Sequence, residues 1–417
     1  MKFFLRSFLI IGFIILGYTF YRSEIYWDGK LRFFYNTYYL AALIFIFFII
    51  ILIYTSKQLQ TYATIIFLSC VFVLYSFEFF LIFKKEQPNF SNNNFDKRTM
   101  ADVYKDLSKN NNVAVRGAPI ATMGIYKNKD YFSLAGISKI KTILCNEDGY
   151  WAIYQSDRYG FNNPDEQWDS NAVEYLLVGD SFTHGACVNR PNDIASMLRL
   201  YSKKNVLNLG QQGNGPLIEY VTLREYLSPN VKKVIWIFFE GNDLLDLRKE
   251  LTFENLNEYL TDKNLKHNLR FKQAQIDASL KFIIHDQMGV ESDKYNLIKF
   301  IKLYNLRYLI PSPPPSPPSE FKTILKLTND LVKNNNGVLY FVYLPDYKRY
   351  KLSNIIYDNS KKKVKKIIND LNIEFIDIDK EVFEKEKDPL MLFSLMRAHY
   401  NAEAYKKIAS KIYEKTK

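Results

Sequence analysis

The sequence predicts an α/β protein in which a doubly wound, parallel five-stranded sheet fills roughly residues 170–417, behind three transmembrane helices and a small β lead-in. Two observations carry this. Five short apolar runs, Glu174–Val178, Val206–Leu209, Lys233–Phe239, Val338–Leu344 and Ile373–Ile378, are separated by helix-patterned segments. Strands covered on both faces by crossover helices read as continuous apolar runs of this kind. In addition, Phe, Tyr, Ile and Leu crowd the first 83 residues, and the remainder has the composition of an ordinary water-exposed domain.

In chain order, 1–86 forms the transmembrane region, with helices expected at about 7–23, 34–55 and 59–83. The first apolar run is short, and the Tyr-Thr-Phe-Tyr that ends it lacks the small residues of a cleavage site, so it reads as a retained anchor. Glu78 lies inside the third run, about two turns before Lys84 and Lys85, and is expected to snorkel with them to the interface. Three spans separate the chain ends. A basic start ahead of a short apolar run places Lys2 inside and the large domain on the extracytoplasmic side, although Arg22, Lys30, Arg32, Lys84 and Lys85 then lie outside, against the positive-inside tendency.

Residues 87–112 form a polar linker with asparagine clusters at Asn92–Asn94 and Asn110–Asn112 around a helix expected over Lys97–Ser108. The β lead-in, 113–169, has short runs at Asp130–Ser133 and Lys141–Leu144, punctuated by Gly117, Pro119, Gly124, Gly136 and Gly149. Beyond it, helices are expected at about Pro191–Tyr201, Pro216–Tyr226, Glu320–Lys333, Asn359–Leu371 and Ala402–Lys415. A helix-rich insertion occupies about 244–318 and ends in the proline run Pro311–Pro318, read as a stiff spacer rather than a partner ligand. The run Lys361–Lys366 reads as a solvated helix face, with anionic-lipid contact as the alternative.

The net charge of +12 is spread along the chain and interleaved with acids. It therefore points away from nucleic acid, which needs a basic face or motif. Cys70, Cys145 and Cys187 show no paired spacing, so neither a disulfide framework nor a metal site is expected, and no cofactor is indicated.

A doubly wound sheet collects its ligand site at the carboxyl ends of its strands. Three segments with chemical potential end there. The first strand runs into Gly179-Asp180-Ser181-Phe182, a strand-to-helix turn that exposes a serine and aims backbone amides at it. The second ends in Asn208-Leu-Gly-Gln-Gln-Gly213-Asn-Gly-Pro216, and the third in Glu240-Gly241-Asn242-Asp243. Near the C-terminus, Arg397-Ala-His399-Tyr-Asn401 puts a histidine just before the last helix, with Asn401 as its N-cap. Of the other three histidines, His184 belongs to the serine's turn, and His267 and His285 belong to the insertion. That leaves His399 as the candidate general base. Each segment alone can be a turn; all of them in this order are harder to explain so.

This ordered set resembles the SGNH, or GDSL-type, esterase and lipase superfamily over roughly Asn171–Lys417, as a membrane-anchored member. The resemblance implies the flavodoxin-like SGNH hydrolase fold, with Ser181 as nucleophile and His399 as base. It also implies an oxyanion hole made by the Ser181 amide, the Gly213 amide and the Asn242 side chain. Upstream, Asp157-Arg-Tyr-Gly-Phe161 resembles the Gly-Phe lead-in of envelope-associated members. The family usually carries an aspartate three residues before the histidine, where this chain has Met396; Asp180, Asp243 and Asp388 are the candidate supporting acids. Glu240 stands where the family commonly has glycine.

The expected activity is hydrolysis or transfer of an acyl group, O-acetyl or a similar ester on an envelope glycan or lipid. Such a glycan or lipid ester and membrane lipid are the expected partners. The other reading, motivated by Met396, is an SGNH-fold envelope scaffold or binding protein with weak or no catalysis.

Overall fold

The computed structural model describes residues 2–29, 31–83, 95–109, 112–115, 130–289, 294–309, 314–351 and 354–417. Asn92–Asn94, Asn110, Asn111, Gly117, Pro119, Gly124, Lys84, Lys85 and the start of the proline run lie outside them. The chain divides into two compact units, one made of Met1–Gln87 with Ser292–Pro311, the other of Pro88–Glu291 with Ser312–Lys417.

The first unit contains helices Lys2–Phe20, Arg32–Ile53 and Lys57–Phe83. All three lie in segments long and apolar enough to cross a membrane, the first continuing through a π-helical turn to Tyr26. Helices one and two approach closely at Gly12, where an added Cβ would stand 2.8 Å from Ile46 Cγ1. Glu78 departs from expectation. It is buried, and its carboxylate accepts hydrogen bonds from the backbone N–H of Asn305 (2.9 Å) and Leu306 (2.7 Å) and from Asn305 Nδ2 (2.9 Å). These are the orphan donors at the start of the short helix Tyr304–Tyr308, so an acid in an apolar helix is satisfied by capping another helix rather than by reaching water.

The second unit holds two sheets. The smaller has strands β1 (Val113–Val115), β2 (Lys141–Cys145) and β3 (Ala152–Gln155), with β1 parallel and β3 antiparallel to β2. The expected run at Asp130–Ser133 is not a strand; Phe132 is buried, and Ser133 Oγ bonds the nearby Ala135 carbonyl, a local partner in place of a ladder. The larger sheet is all parallel and five-stranded, with β4 (Val173–Gly179), β5 (Val206–Asn208), β6 (Val231–Phe239), β7 (Val338–Leu344) and β8 (Glu374–Asp377) in the order β5-β4-β6-β7-β8. Counted within the sheet this is the order 2-1-3-4-5, whose direction of progression reverses beside β4. The reversal opens a crevice at the carboxyl end of β4, where Ser181 follows.

Both faces are covered. Leu176, Val178, Val234, Trp236 and Phe238 pack toward helices Pro216–Tyr226 and Ser319–Asn334. Tyr175, Leu177, Ile235 and Ile237 pack on the other side toward helices Ile194–Ser202 and Ala402–Thr416. This two-sided burial is why the strands read as unbroken apolar runs.

Two features brace the carboxyl edge. In the Asp157–Pro164 segment, Asp157 is buried and accepts from the N–H groups of Tyr159 and Phe161, from Asn163 Nδ2 and from Trp168 Nε1. Asn163 in turn takes the Asn208 N–H (2.8 Å) and donates to the Asn208 carbonyl (2.9 Å), fixing the end of β5. At the end of β6, Glu240 is buried and pairs with Arg349 through Nη2 (2.6 Å) and Nε (2.8 Å), while accepting from Tyr343 OH and the Asp346 N–H. Glu240 therefore pins the loop after β7.

Candidate active site

Ser181 is the first residue of a one-turn helix, Ser181–His184, N-capped by Asp180 through a 2.9 Å bond from the Phe182 N–H to Oδ1. The turn is tight because two glycines leave room for it. A Cβ on Gly179 would lie 2.1 Å from Thr183 Oγ1, and one on Gly210 would lie 2.6 Å from the His184 nitrogen. The end of β5 thus lies directly against the turn that carries Ser181. Asn208 Nδ2 also donates to the Thr183 carbonyl (2.7 Å). His184 braces the next segment: its Nδ1 accepts the Gln212 N–H (3.3 Å), which leaves Nε2–H to face Tyr154 OH (3.0 Å).

His399 Nε2 lies 2.9 Å from Ser181 Oγ. Its Nδ1 is 2.6 Å from Glu147 Oε1, and Glu147 Oε2 accepts from the His399 N–H (3.0 Å) and from Ser394 Oγ (2.7 Å). A carboxylate on Nδ1 holds the proton there and leaves Nε2 as an acceptor toward the serine. Burial pushes the Glu147 carboxyl up, but the facing imidazole, the Ser394 hydroxyl and the His399 amide outweigh it and hold the group below its ordinary value. The turn that carries Glu147 also grips the histidine's loop from outside, with Asp148 Oδ1 accepting the Leu395 N–H (2.8 Å) and the Glu147 carbonyl accepting the Met396 N–H (3.2 Å).

None of the three candidate acids takes this place. Asp180 serves the Ser181 turn itself, with Ser181 Oγ 3.3 Å from its Oδ2, and burial pushes its carboxyl up to about 6. Asp243 accepts the Phe239 N–H (2.8 Å) and fixes the turn after β6. Asp388 is exposed and caps the short helix Pro389–Leu392. Met396, where the resemblance led to an acid being expected, is about half exposed at 51%.

Gly213 has φ +84°, a left-handed conformation, and no atom lies within 4 Å of where its Cβ would be. Asn242 Nδ2 donates to Asp246 Oδ2 (2.6 Å), and Asp246 is paired with Lys249 (2.6 Å). That bond uses one of the two amide hydrogens of Asn242.

Sequence reasoning missed Glu147 and one further bond. Cys145 and Cys187 form a disulfide, against the expectation of none. Their separation of 42 residues follows no framework pattern, because the fold rather than local spacing brings them together. Glu147, Cys187 and His399 offer ligand atoms within 4.8 Å of one another, but Cys187 spends its sulfur in the disulfide and lies 4.0 Å from His399 Nδ1, so the group lacks the thiolate a metal would take. The signal that links these residues is the pair of cysteines itself, one two residues before Glu147 and one six residues after Ser181.

Ser181 Oγ, the His399 imidazole and the Glu147 carboxylate thus lie in one hydrogen-bonded line at the switch point of a doubly wound sheet. The chain matches no protein-family model and no curated protein. Among solved structures it is similar to a protein described as lipolytic, of the G-D-S-L family, from Desulfitobacterium hafniense DCB-2, at 14% identity over 58% of this chain and 98% of that one, with a TM-score of 0.35. It is likewise similar to a member of the lipolytic protein G-D-S-L family from Veillonella parvula DSM 2008 (14% identity, 58% and 97% covered, TM-score 0.33) and to an acetyl xylan esterase, AlAXEase (12%, 58% and 99%, TM-score 0.33).

Proposed function

We propose that this chain is a membrane-anchored serine esterase of the SGNH type, acting on an acyl ester of an envelope glycan or lipid. The observation that carries the reading is the continuous relay from Ser181 Oγ to His399 Nε2 (2.9 Å) and from His399 Nδ1 to Glu147 (2.6 Å). Ser181 Oγ attacks the ester carbonyl as His399 Nε2 takes its proton, and Glu147 stabilises the imidazolium. The Ser181 N–H, the Gly213 N–H and the second N–H of Asn242 are assigned to the developing oxyanion. On collapse, His399 returns the proton to the departing alkoxide. A water, activated by the same imidazole, then releases the acyl group; a sugar hydroxyl in its place gives transfer instead of hydrolysis.

The three apolar helices support an anchor crossing the membrane three times, which puts the two chain ends on opposite sides. The Cys145–Cys187 disulfide supports an oxidising, extracytoplasmic location for the catalytic unit. Glu147 beside His399 favours the esterase over the scaffold reading, whose motive was Met396.

The test is turnover of p-nitrophenyl acetate by the full-length protein in detergent. The reading predicts activity that Ser181→Ala removes to background; equal rates for the two proteins would leave only the scaffold. Protease treatment of spheroplasts tests the side, where complete protection of the catalytic unit would overturn the extracytoplasmic assignment.

A further inference from the structure

The relay is assembled from two sheets. Ser181 and His399 belong to the five-stranded sheet and its last connection, whereas Glu147 stands on the turn between β2 and β3 of the small sheet. The ladder of β2 shifts register between Ile143 and Cys145 and its last pair is Cys145–Ala152, so Glu147 lies two residues beyond the strand pairing. Its carboxylate is held by Ser394 and by two groups of His399. The bond to the imidazole changes in strength each time that ring gains and loses a proton, so it cannot by itself be a constant reference for the acid's position.

The Cys145–Cys187 bond supplies such a reference. Cys145 is two residues before Glu147. Cys187 is six residues past Ser181, in the loop that closes the nucleophile's turn, where the Ala186 N–H bonds the Ser181 carbonyl at 2.9 Å. Cys187 itself has φ +62°, and Gly185 before it has φ +84°, so this loop has a tightly specified backbone. Both sulfurs are buried in a small apolar cluster with Leu144, Ala152, Tyr154 and Ala186. The covalent route from nucleophile to acid through the disulfide is thus far shorter than the route along the chain, and none of it passes through His399.

We propose that the Cys145–Cys187 disulfide is a positioning element of the catalytic relay, holding Glu147 in register with Ser181 so that His399 is oriented through the whole cycle. The inference rests on the esterase reading and on Glu147 as the orienting acid. It makes catalysis depend on the disulfide through Glu147, beyond any contribution of the bond to stability.

The experiment is a double-mutant cycle in full-length detergent-solubilised protein, comparing Cys145→Ala/Cys187→Ala in the wild-type and Glu147→Gln backgrounds. Loss of the crosslink is expected to lower kcat on p-nitrophenyl acetate by about 10- to 100-fold in wild type, since misplacement by about 1 Å can cost that much, with KM changed less than about twofold. In Glu147→Gln the same change is expected to cost less than about twofold in kcat. An equal loss in both backgrounds, or none in wild type, overturns the proposal and leaves the bond a stabilising crosslink. If Glu147→Gln alone retains wild-type activity, the underlying assignment of the acid fails instead. Should the double-alanine protein not fold, wild type is reduced with excess dithiothreitol, which takes up the bond as its own cyclic disulfide and leaves two thiols. Activity lost in step with thiols counted by mass spectrometry supports the proposal, and full activity with the bond fully reduced refutes it.

Discussion

Replacing Glu147 by glutamine tests the relay at the point where the structure is most specific. Glu147 Oε2 accepts two donors, the His399 N–H and Ser394 Oγ, so the glutamine carbonyl oxygen is expected to stay on that side. The new NH2 then occupies the position of Oε1, 2.6 Å from His399 Nδ1. An amide donor facing Nδ1 forces that nitrogen to accept and moves the ring proton to Nε2, where it points at Ser181 and cannot take the serine's proton. The wrong tautomer in an otherwise intact serine protease triad costs about 10⁴ in kcat, equivalent to about 5.4 kcal/mol. We expect a loss of 10³- to 10⁴-fold here, on the order of 4 to 5.4 kcal/mol, with KM little changed because no substrate contact is removed. The assay is steady-state turnover of p-nitrophenyl acetate, paired with thermal unfolding to show that the variant is folded. A folded Glu147→Gln protein within about tenfold of wild type would refute the argument, because the orienting carboxylate would then be dispensable.

Other consequences can be checked independently. Glu240→Ala leaves Arg349, itself buried, with only Asp358 and Asp379 (3.3 Å to the latter), and should destabilise the protein by about 3 kcal/mol in denaturant unfolding. The two glycines at the end of β5 should behave differently: Gly210→Ala puts a methyl 2.5 Å from Thr183 Cβ and should cost about 3 kcal/mol or more, whereas Gly213→Ala meets open space and should cost about 1 kcal/mol, all of it from its positive φ. The pH dependence has a definite sign. Because the folded carboxyl of Glu147 sits below its ordinary value of 4.5, its stabilising contribution is complete above that pH and is lost as pH falls through the folded value. Thermal unfolding between pH 6 and 3 should therefore show an acid-side loss for wild type that is smaller in Glu147→Gln.

The sheet was legible because parallel strands buried on both faces leave a plain signature, continuous apolar runs at helix-length intervals. The turn at Ser181 was legible for a related reason: a Cβ on Gly179 would stand 2.1 Å from Thr183 Oγ1 and 2.6 Å from the Ile237 carbonyl oxygen, and a residue with so little freedom marks the carboxyl edge. Glu147 was not legible. Its partner His399 is 252 residues away, and it is delivered by a small sheet whose strand pairing no local periodicity reports. The disulfide escaped for the same reason, since Cys145 and Cys187 are neighbours only after the small sheet docks on the turn of Ser181. Glu78 shows the opposite limit. Its helix was clear from composition, but the helix it caps, Tyr304–Tyr308, comes from 226 or more residues further on, so a lone acid in an apolar run looked like an interface residue.

The most direct test of the central claim is the site of covalent modification by a fluorophosphonate probe on the full-length protein, mapped by peptide mass spectrometry. The account predicts one stoichiometric adduct, on Ser181, absent from Ser181→Ala and formed much more slowly in His399→Ala and Glu147→Gln. No adduct on Ser181, or labelling at a rate indifferent to His399 and Glu147, would contradict it.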